Sequence, residues 1–445
     1  MVTPAESTGN LRHRGRKKRT ICVLGLGYVG LPVALSFADE DFPVIGYDID
    51  PEKISTLQEG NDTTGTVSDA ALRQTDLALT ADPQHITQAD VVIVAVPTPI
   101  DQDEQPDLEF VRAAGRTLGE YLSPKTTIVL ESTVYPGATH EVFIPAIETS
   151  SGLSSPAEFT VGYSPERISP GDSGRELEDV VKIVSGQTEE TREEIAGLYE
   201  HIVDAGVYRA PTIEVAEAAK VVENAQRDLN IAFVNELAMA FDRMDLDIDT
   251  HEVLEAAGTK WNFHEYRPGL VGGHCIPVDP HFFSQCSKRA GFVPELMIKG
   301  RQVNEAVPEH VVQLTIQSLN SADKTLRGSR VLLLGLTYKA DVPDVRTSKT
   351  ADLARRLGTF DVDIQGYDPV GDVQEMRDTF EFPVREDLSF SSFDGAILAT
   401  GHEEFQHIEP ERVVTEMNRD PVMVDVAGIF EPTQMANAGI RYRRL

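Results

Sequence analysis

Ten residues near the amino end constrain this chain more than any others: Ile21-Cys22-Val23-Leu24-Gly25-Leu26-Gly27-Tyr28-Val29-Gly30. A short apolar run passes directly into G-x-G-x-x-G, and helical spacing begins at Leu31. That order reads as strand, tight turn and helix. Gly25 permits the turn, Gly27 lets a backbone approach a pyrophosphate, and Gly30 allows the helix to pack closely on the strand. The helix start offers free N–H groups and partial positive charge to phosphates. A second expected strand, residues 44–47, leads to Asp48, near the spacing at which a carboxylate takes both ribose hydroxyls. The same charge repels a 2′-phosphate, so NAD is expected rather than NADP. Taken as a merely structural turn, the segment would need strand, glycines and acid to coincide by chance. Cys22 lies within the first strand and reads as a small core residue.

Strand and helix patterns alternate up to about residue 210, with further strands expected at 91–96, 128–130, 159–163 and 183–185. This predicts an α/β domain with a parallel sheet. Residues 212–244 contain neither Gly nor Pro and repeat apolar residues at helical spacing, with Thr212 available as N-cap. Helices are also expected near 250–257 and 294–319. A second α/β unit opens at Ser329, with strands at 330–334, 362–367, 395–399 and 422–426 and a helix at 348–357, but without a G-x-G-x-x-G of its own. The expected fold is therefore two Rossmann-like doubly wound domains joined by an all-α connector built on one long helix. The boundaries are a disordered basic tail over 1–19, an N-terminal domain over 20–211, a connector over 212–320 and a C-terminal domain over 321–445.

The 445 residues leave room for two or three cores, and 41% hydrophobic content suits an ordinary globular chain. No stretch approaches the roughly 20 apolar residues of a membrane span. Three scattered cysteines make no disulfide framework, which points to a reducing cytoplasm where a lone cysteine can act as a nucleophile. Basic residues between Arg12 and Arg19 are followed by no apolar segment of a signal peptide and read as a solvated terminus. The net charge of −32, from 72 acidic against 40 basic residues, disfavours nucleic acid and anionic membranes as partners. Such a surface suits a saline interior, where the Debye length shortens to about 3 Å at 1 M. It suits an ordinary acidic soluble protein equally well.

The stretch from Pro268 to Pro280, PGLVGGHCIPVDP, carries the most chemistry. Glycines at 269, 272 and 273 open the backbone to close ligand approach. They present Cys275 near an expected helix start, which would lower a thiol pKa, with Asp279 one helical turn on. A Gly-Gly-His-Cys loop is a poor place to build core, so a nucleophile is favoured over a buried thiol. His264, His274, Cys275, His281 and Cys286 match no standard metal spacing, and no metal is expected. Thr98 and Thr133 follow buried strands and are expected at a nicotinamide pocket, since ligands of open α/β sheets sit at the carboxyl ends of strands. Lys220 and Asn224 lie at i and i+4 on the long helix and face one way.

Together these segments resemble the UDP-glucose/GDP-mannose dehydrogenase family over nearly the whole chain from Thr20. The resemblance rests on the glycine motif, Glu131-Ser132-Thr133-Val134-Tyr135-Pro136-Gly137, Tyr163-Ser164-Pro165-Glu166-Arg167, Lys220 with Asn224, Gly272-Gly273-His274-Cys275 with Asp279, and Gly335-Leu336-Thr337-Tyr338-Lys339. It implies a four-electron oxidation of a sugar C6 alcohol to the acid, using two NAD per turnover and a thiohemiacetal and thioester on Cys275. Lys220 would move protons and stabilise charge, with Asn224 as its partner at the C6 oxygen. Glu166 would activate the hydrolytic water, positioned by Asp279 and Thr133. Glucose-oxidising members have a second acid four residues after the first; here that position is Pro170. Tyr28, Val29, Lys53 and Arg346 are expected on the cofactor side. Arg167, Arg267, Gly272, Gly273, His274, Tyr338 and Lys339 are expected on the UDP-sugar side.

His274 and Val278, where glucose-oxidising members have serine and lysine, together with GTKWNF at 258–263, resemble the branch acting on UDP-N-acetylhexosamines. UDP-N-acetylglucosamine or its galacto epimer is expected, with UDP-N-acetylmannosamine and UDP-glucose as alternatives. The uronic acid would feed cell-surface glycan synthesis, and the connector helix implies a homodimer. Two rival readings are a two-electron dehydrogenase in which Cys275 is incidental and a non-catalytic nucleotide-sugar sensor.

Overall fold

A computed structural model of the chain describes residues 18–62, 64–101, 103–168, 177–244, 246 and 248–445. The expected basic tail, apart from Lys18 and Arg19, and Pro170 lie outside the described residues. The first domain is one sheet of eight strands: β1 (Ile21–Leu24), β2 (Val44–Tyr47), β3 (Ala78–Thr80), β4 (Val91–Val94), β5 (Thr127–Leu130), β6 (Thr160–Tyr163), β7 (Lys182–Gly186) and β8 (Val207–Arg209). Their order is β3-β2-β1-β4-β5-β6-β7-β8. The central strands are buried at every position, as expected where helices cover both faces of a parallel sheet. Strand order reverses between β1 and β4, which opens the ligand crevice beside the glycine loop.

The expectation of a wholly parallel sheet is corrected at β7, which pairs antiparallel to β6, while β8 runs parallel to β7. β7 runs against its neighbour, so its first residue lies beyond the carboxyl end of β6. β3 and β8 have three residues each and little burial, so they carry no alternation by which to find them.

Thr212 caps the long helix Ile213–Phe241, its hydroxyl accepting the Val215 N–H. A second long helix, Glu295–Ser321, packs along it. Their contact is polar at its centre. Arg301 donates to Asp228, Asn304 donates to the same carboxylate at 2.8 Å, and Asn235 donates to Asn304 at 2.8 Å. The helix Asp279–Arg289 follows the cysteine loop and begins four residues beyond Cys275, near the helix start expected there.

The C-terminal sheet is parallel throughout, in the order β10-β9-β11-β12-β13, from β9 (Arg330–Leu334), β10 (Asp363–Tyr367), β11 (Gly395–Leu398), β12 (Val422–Asp425) and β13 (Arg441–Arg444). β13 reads RYRR and shows no apolar run in the sequence. The two Rossmann-like domains repeat one construction. Gly25 and Gly335 both have positive φ after a first strand, and a Cβ on either would meet a carbonyl oxygen at 2.6 or 2.4 Å. Asp48 and Asp368 both follow the second strand, and each accepts the N–H of the residue after that glycine.

Candidate active site

The glycine loop is shaped from both sides. Gly25 adopts φ +93°, and a Cβ on Gly30 would meet the Gly25 carbonyl oxygen at 1.9 Å. A Cβ on Gly27 would meet nothing within 4 Å, so the loop is closed against its own strand and open outward. Val29 stands at the N-cap of the helix Gly30–Asp39 without a capping side chain, which leaves the helix N–H groups to a ligand. Asp48 is buried. One of its oxygens accepts the Leu26 N–H at 2.9 Å and the Lys53 ammonium at 3.0 Å; the other accepts the Asp50 N–H. This fits a dinucleotide: backbone N–H groups for the pyrophosphate and an ordered carboxylate for the ribose. Thr98 and Thr133 are both half-buried beyond the ends of β4 and β5.

Cys275 sits in a turn before the helix Asp279–Arg289, its carbonyl accepting the N–H groups of Val278 and Asp279. Lys220 and Asp279 lie near enough to act on its charge, and both are buried, as is Asn224. Asn224 donates to Asp279 Oδ2 at 2.6 Å, so in this structure it partners that acid. Burial pushes the Asp279 carboxyl up to about 6, against the pull of Lys220 and the Asn224 hydrogen bond. The expectation of a helix-lowered thiol is corrected. Cys275 is exposed at the mouth of the site, yet the cleft walls desolvate its thiol and Asp279 adds repulsion. Together they raise it above its ordinary value despite Lys220 and Arg227. The helix starts four residues later than the thiol, so its terminus is too far along to dominate. Arg227 was not foreseen. It lies seven residues after Lys220 and three after Asn224, on their face of the helix.

The cysteine loop docks on the C-terminal domain. Gly273 has φ +93°, and a Cβ there would come within 2.8 Å of the Tyr338 ring. A Cβ on Gly272 would stand 2.8 Å from the Thr347 carbonyl oxygen. His274 lies 3.3 Å from Asp344, whose carboxylate also takes two side-chain hydrogen bonds from Arg346. The Arg346 guanidinium in turn stacks 4.9 Å over the Tyr28 ring of the glycine loop. Asn235 clamps Gly269 at both its N–H and its carbonyl. Between loop and domain runs a cleft of about 160 Å³ lined by Gly269, Thr337, Tyr338, Lys339, Ser348 and Thr400.

The remaining expected site residues are engaged within the protein. Glu166 accepts the Lys182 ammonium at 2.8 Å and the N–H groups of Arg167 and Ile168, and its carboxyl is lowered although buried. Arg167 is paired through two of its nitrogens with Glu223 of the long helix and donates to the Val181 carbonyl. Arg267 is exposed and meets His251 at 3.3 Å. Glu217, three residues before Lys220, also escaped the sequence reading. It is buried and accepts from Gly137 and Thr139, and burial raises it to about 7.

Comparison with known proteins finds three consecutive matches to one family. Residues 19–203 match the UDP-glucose/GDP-mannose dehydrogenase family, NAD binding domain; 214–306 match its central domain and 332–432 its UDP binding domain. The chain is 41% identical to Protein CapL of Staphylococcus aureus, over 96% of this chain and 100% of that one. It is 41% identical to the UDP-N-acetyl-D-glucosamine 6-dehydrogenase of Pseudomonas aeruginosa, over 93% and 98%. A UDP-D-ManNAc dehydrogenase structure from Pyrococcus horikoshii superposes with a TM-score of 0.85 at 28% identity, covering 96% of this chain and 98% of that one.

Proposed function

This chain belongs to the UDP-glucose/GDP-mannose dehydrogenase family and is an NAD-dependent UDP-sugar dehydrogenase, and we propose that it oxidises C6 of a UDP-N-acetylhexosamine to the carboxylate through Cys275. The observation that carries this reading is the action of Lys220 and Asp279 on one thiol, with Asn224 bonded to Asp279, in a loop that packs on the C-terminal domain and is linked through Asp344 and Arg346 to Tyr28 of the glycine loop. Bound NAD supplies the hydride acceptor in both oxidations, so two are used per sugar. The nucleotide would lie in the cleft at Tyr338 and Lys339, with the sugar directed at Cys275. The 41% relative from Pseudomonas aeruginosa favours UDP-N-acetylglucosamine, and Val278 in the turn after the thiol suits an acetamido group better than a lysine would.

The chain's groups act in sequence. Lys220 stabilises the alkoxide that develops as the C6 hydroxyl gives up its proton and C6 its hydride, with Asn224 and Asp279 fixing its surroundings. Cys275 attacks the aldehyde carbon, which keeps the aldehyde bound and forms a thiohemiacetal. Oxidation of that adduct gives a thioester. Glu166 then takes a proton from water as its oxygen adds to the acyl carbon, and the C–S electron pair leaves on Cys275. A raised thiol needs the proton removed as it attacks, a role open to the neighbouring Asp279 or Lys220.

Among the described residues no helix is long and apolar enough to cross a membrane. Val222 and Phe233 stand exposed on the long helix, which supports a homodimer through the connector. The test is NADH formed per UDP-sugar consumed, comparing UDP-N-acetylglucosamine with its galacto and manno epimers and with UDP-glucose. Two NADH per N-acetylhexosamine is expected. One NADH with an aldehyde product would demote Cys275, and turnover with UDP-glucose alone would overturn the substrate assignment.

A further inference from the structure

The reversal of β7 has a chemical result. Because this strand runs against β6, its first residue stands at the ligand-binding edge of the sheet, where Glu131 follows β5 and Glu166 follows β6. That first residue is Lys182, 2% exposed, its ammonium 2.8 Å from Glu166 Oε2 and 3.1 Å from Glu131 Oε1. The Tyr199 hydroxyl donates to the same oxygen of Glu131. The other oxygen, Oε2, is buried and has no hydrogen-bond partner among the described residues. The two carboxyls are displaced in opposite directions: burial raises Glu131, while Lys182 and two backbone N–H groups hold Glu166 down. Lys182 is thus held between two buried carboxyls, and it is the only cation within hydrogen-bond reach of either among the described residues.

We propose that Lys182 is a positioning residue for thioester hydrolysis, pairing with Glu166 so that this carboxylate stays an anion aimed at the attacking water, while Glu131 seats the ammonium from its other side. The segment is tied to the site, since Arg167 pairs with Glu223, next to Asn224 on the long helix. The hydrolytic step balances without further reagents. The water oxygen bonds to the acyl carbon, its proton passes to Glu166, and the C–S bond breaks with its electron pair on Cys275. The released acid gives up its own proton to solvent. This inference rests on Glu166 being the hydrolytic base.

The test follows both NADH formation and the mass of the Cys275 adduct in single turnovers of the full-length enzyme with UDP-N-acetylglucosamine, using Lys182→Met, Lys182→Arg and Glu166→Gln. Glu166→Gln and Lys182→Met are both expected to complete the oxidations and then stall as the thioester, with acid release slowed about 100-fold or more, the usual worth of a general base. Lys182→Arg keeps a cation but not the geometry, and is expected to slow release about tenfold. A merely structural lysine would instead depress both oxidations and hydrolysis together. If Glu166→Gln stalls while the Lys182 variants release acid at the normal rate, the role of Lys182 is overturned and that of Glu166 stands. If Glu166→Gln releases acid normally, the base reading itself fails and this inference falls with it. Should Lys182→Met not fold, Lys182→Arg decides: unchanged acid release overturns the proposal.

Discussion

Replacing Asn224 by leucine isolates one energetic coupling at the centre of the site. The Asn224 amide donates to Asp279 Oδ2 at 2.6 Å, and both side chains are buried. Asp279 already stands near 6 because burial outweighs Lys220 and this hydrogen bond. A hydrogen bond to a charged group contributes about 1.5–3 kcal/mol, and one pKa unit corresponds to about 1.36 kcal/mol. Losing it should therefore raise Asp279 by about 1–2 units, because leucine has nothing to offer the anion. The sign follows directly: the substitution destabilises the ionised form alone, so more acid must be removed before Asp279 ionises. In kcat/KM for the UDP-sugar at saturating NAD, the acid limb near pH 6 should move to neutral pH or above. Asp279→Asn should abolish the limb. An acid limb that stays in place in Asn224→Leu would refute the coupling, whatever the loss in absolute rate. The same raised carboxyl makes the folded state bind a proton that the unfolded state releases. Its contribution therefore declines as pH rises from the ordinary aspartate range through about 6.

Four further outcomes are expected. Gly273→Ala places a Cβ 2.8 Å from the Tyr338 ring at a left-handed φ, which costs about 2–4 kcal/mol from strain and overpacking; turnover should collapse while NAD still binds, as titrated by fluorescence. Asp344→Asn removes the charge shared by Arg346 and His274; because Arg346 is exposed, the KM for NAD should rise only about tenfold, and an unchanged KM would separate this pair from cofactor binding. Glu217, raised to about 7, makes the folded protein lose stability as pH climbs through neutrality; Glu217→Gln should lower the Tm but flatten its dependence between acid and alkaline sides of pH 7. If the charge of −32 reflects a saline interior, activity and Tm should fall in dilute buffer and recover at molar salt; full activity in dilute buffer would identify an ordinary acidic enzyme.

What the sequence disclosed was whatever is encoded locally. β1 and β2 follow from four-residue apolar runs, the glycine loop from its spacing, and the helix Ile213–Phe241 from its unbroken periodicity and Thr212 cap. Lys220 and Asn224 could be placed on one face because helical geometry settles that without tertiary information. Pairings across long separations left no such trace. Asp344 is 70 residues from His274, and Lys182 is 51 from Glu131, and only the closed fold brings each pair together. The electrostatic error at Cys275 has the same origin. A helix start can be read from Pro280 and Asp279, but the desolvation that outweighs it comes from elements distant in the chain. β7 was found as a strand, but its direction was not, since an apolar run is identical read either way.

The docking of the cysteine loop means that Cys275, the nucleophile of the proposed mechanism, is tied to both halves of the protein at once. Tyr28 belongs to the cofactor loop, Arg346 and Asp344 to the nucleotide half, and His274 to the turn that carries the thiol; the three are joined by one stacking contact and one shared carboxylate. Gly272 and Gly273 leave that turn almost no slack against Tyr338 and Thr347. Such wiring gives the thiol-bearing turn a firm seat on the C-terminal domain and a relayed link, through Arg346, to the glycine loop of the other, so the aim of Cys275 depends on both domains keeping their places.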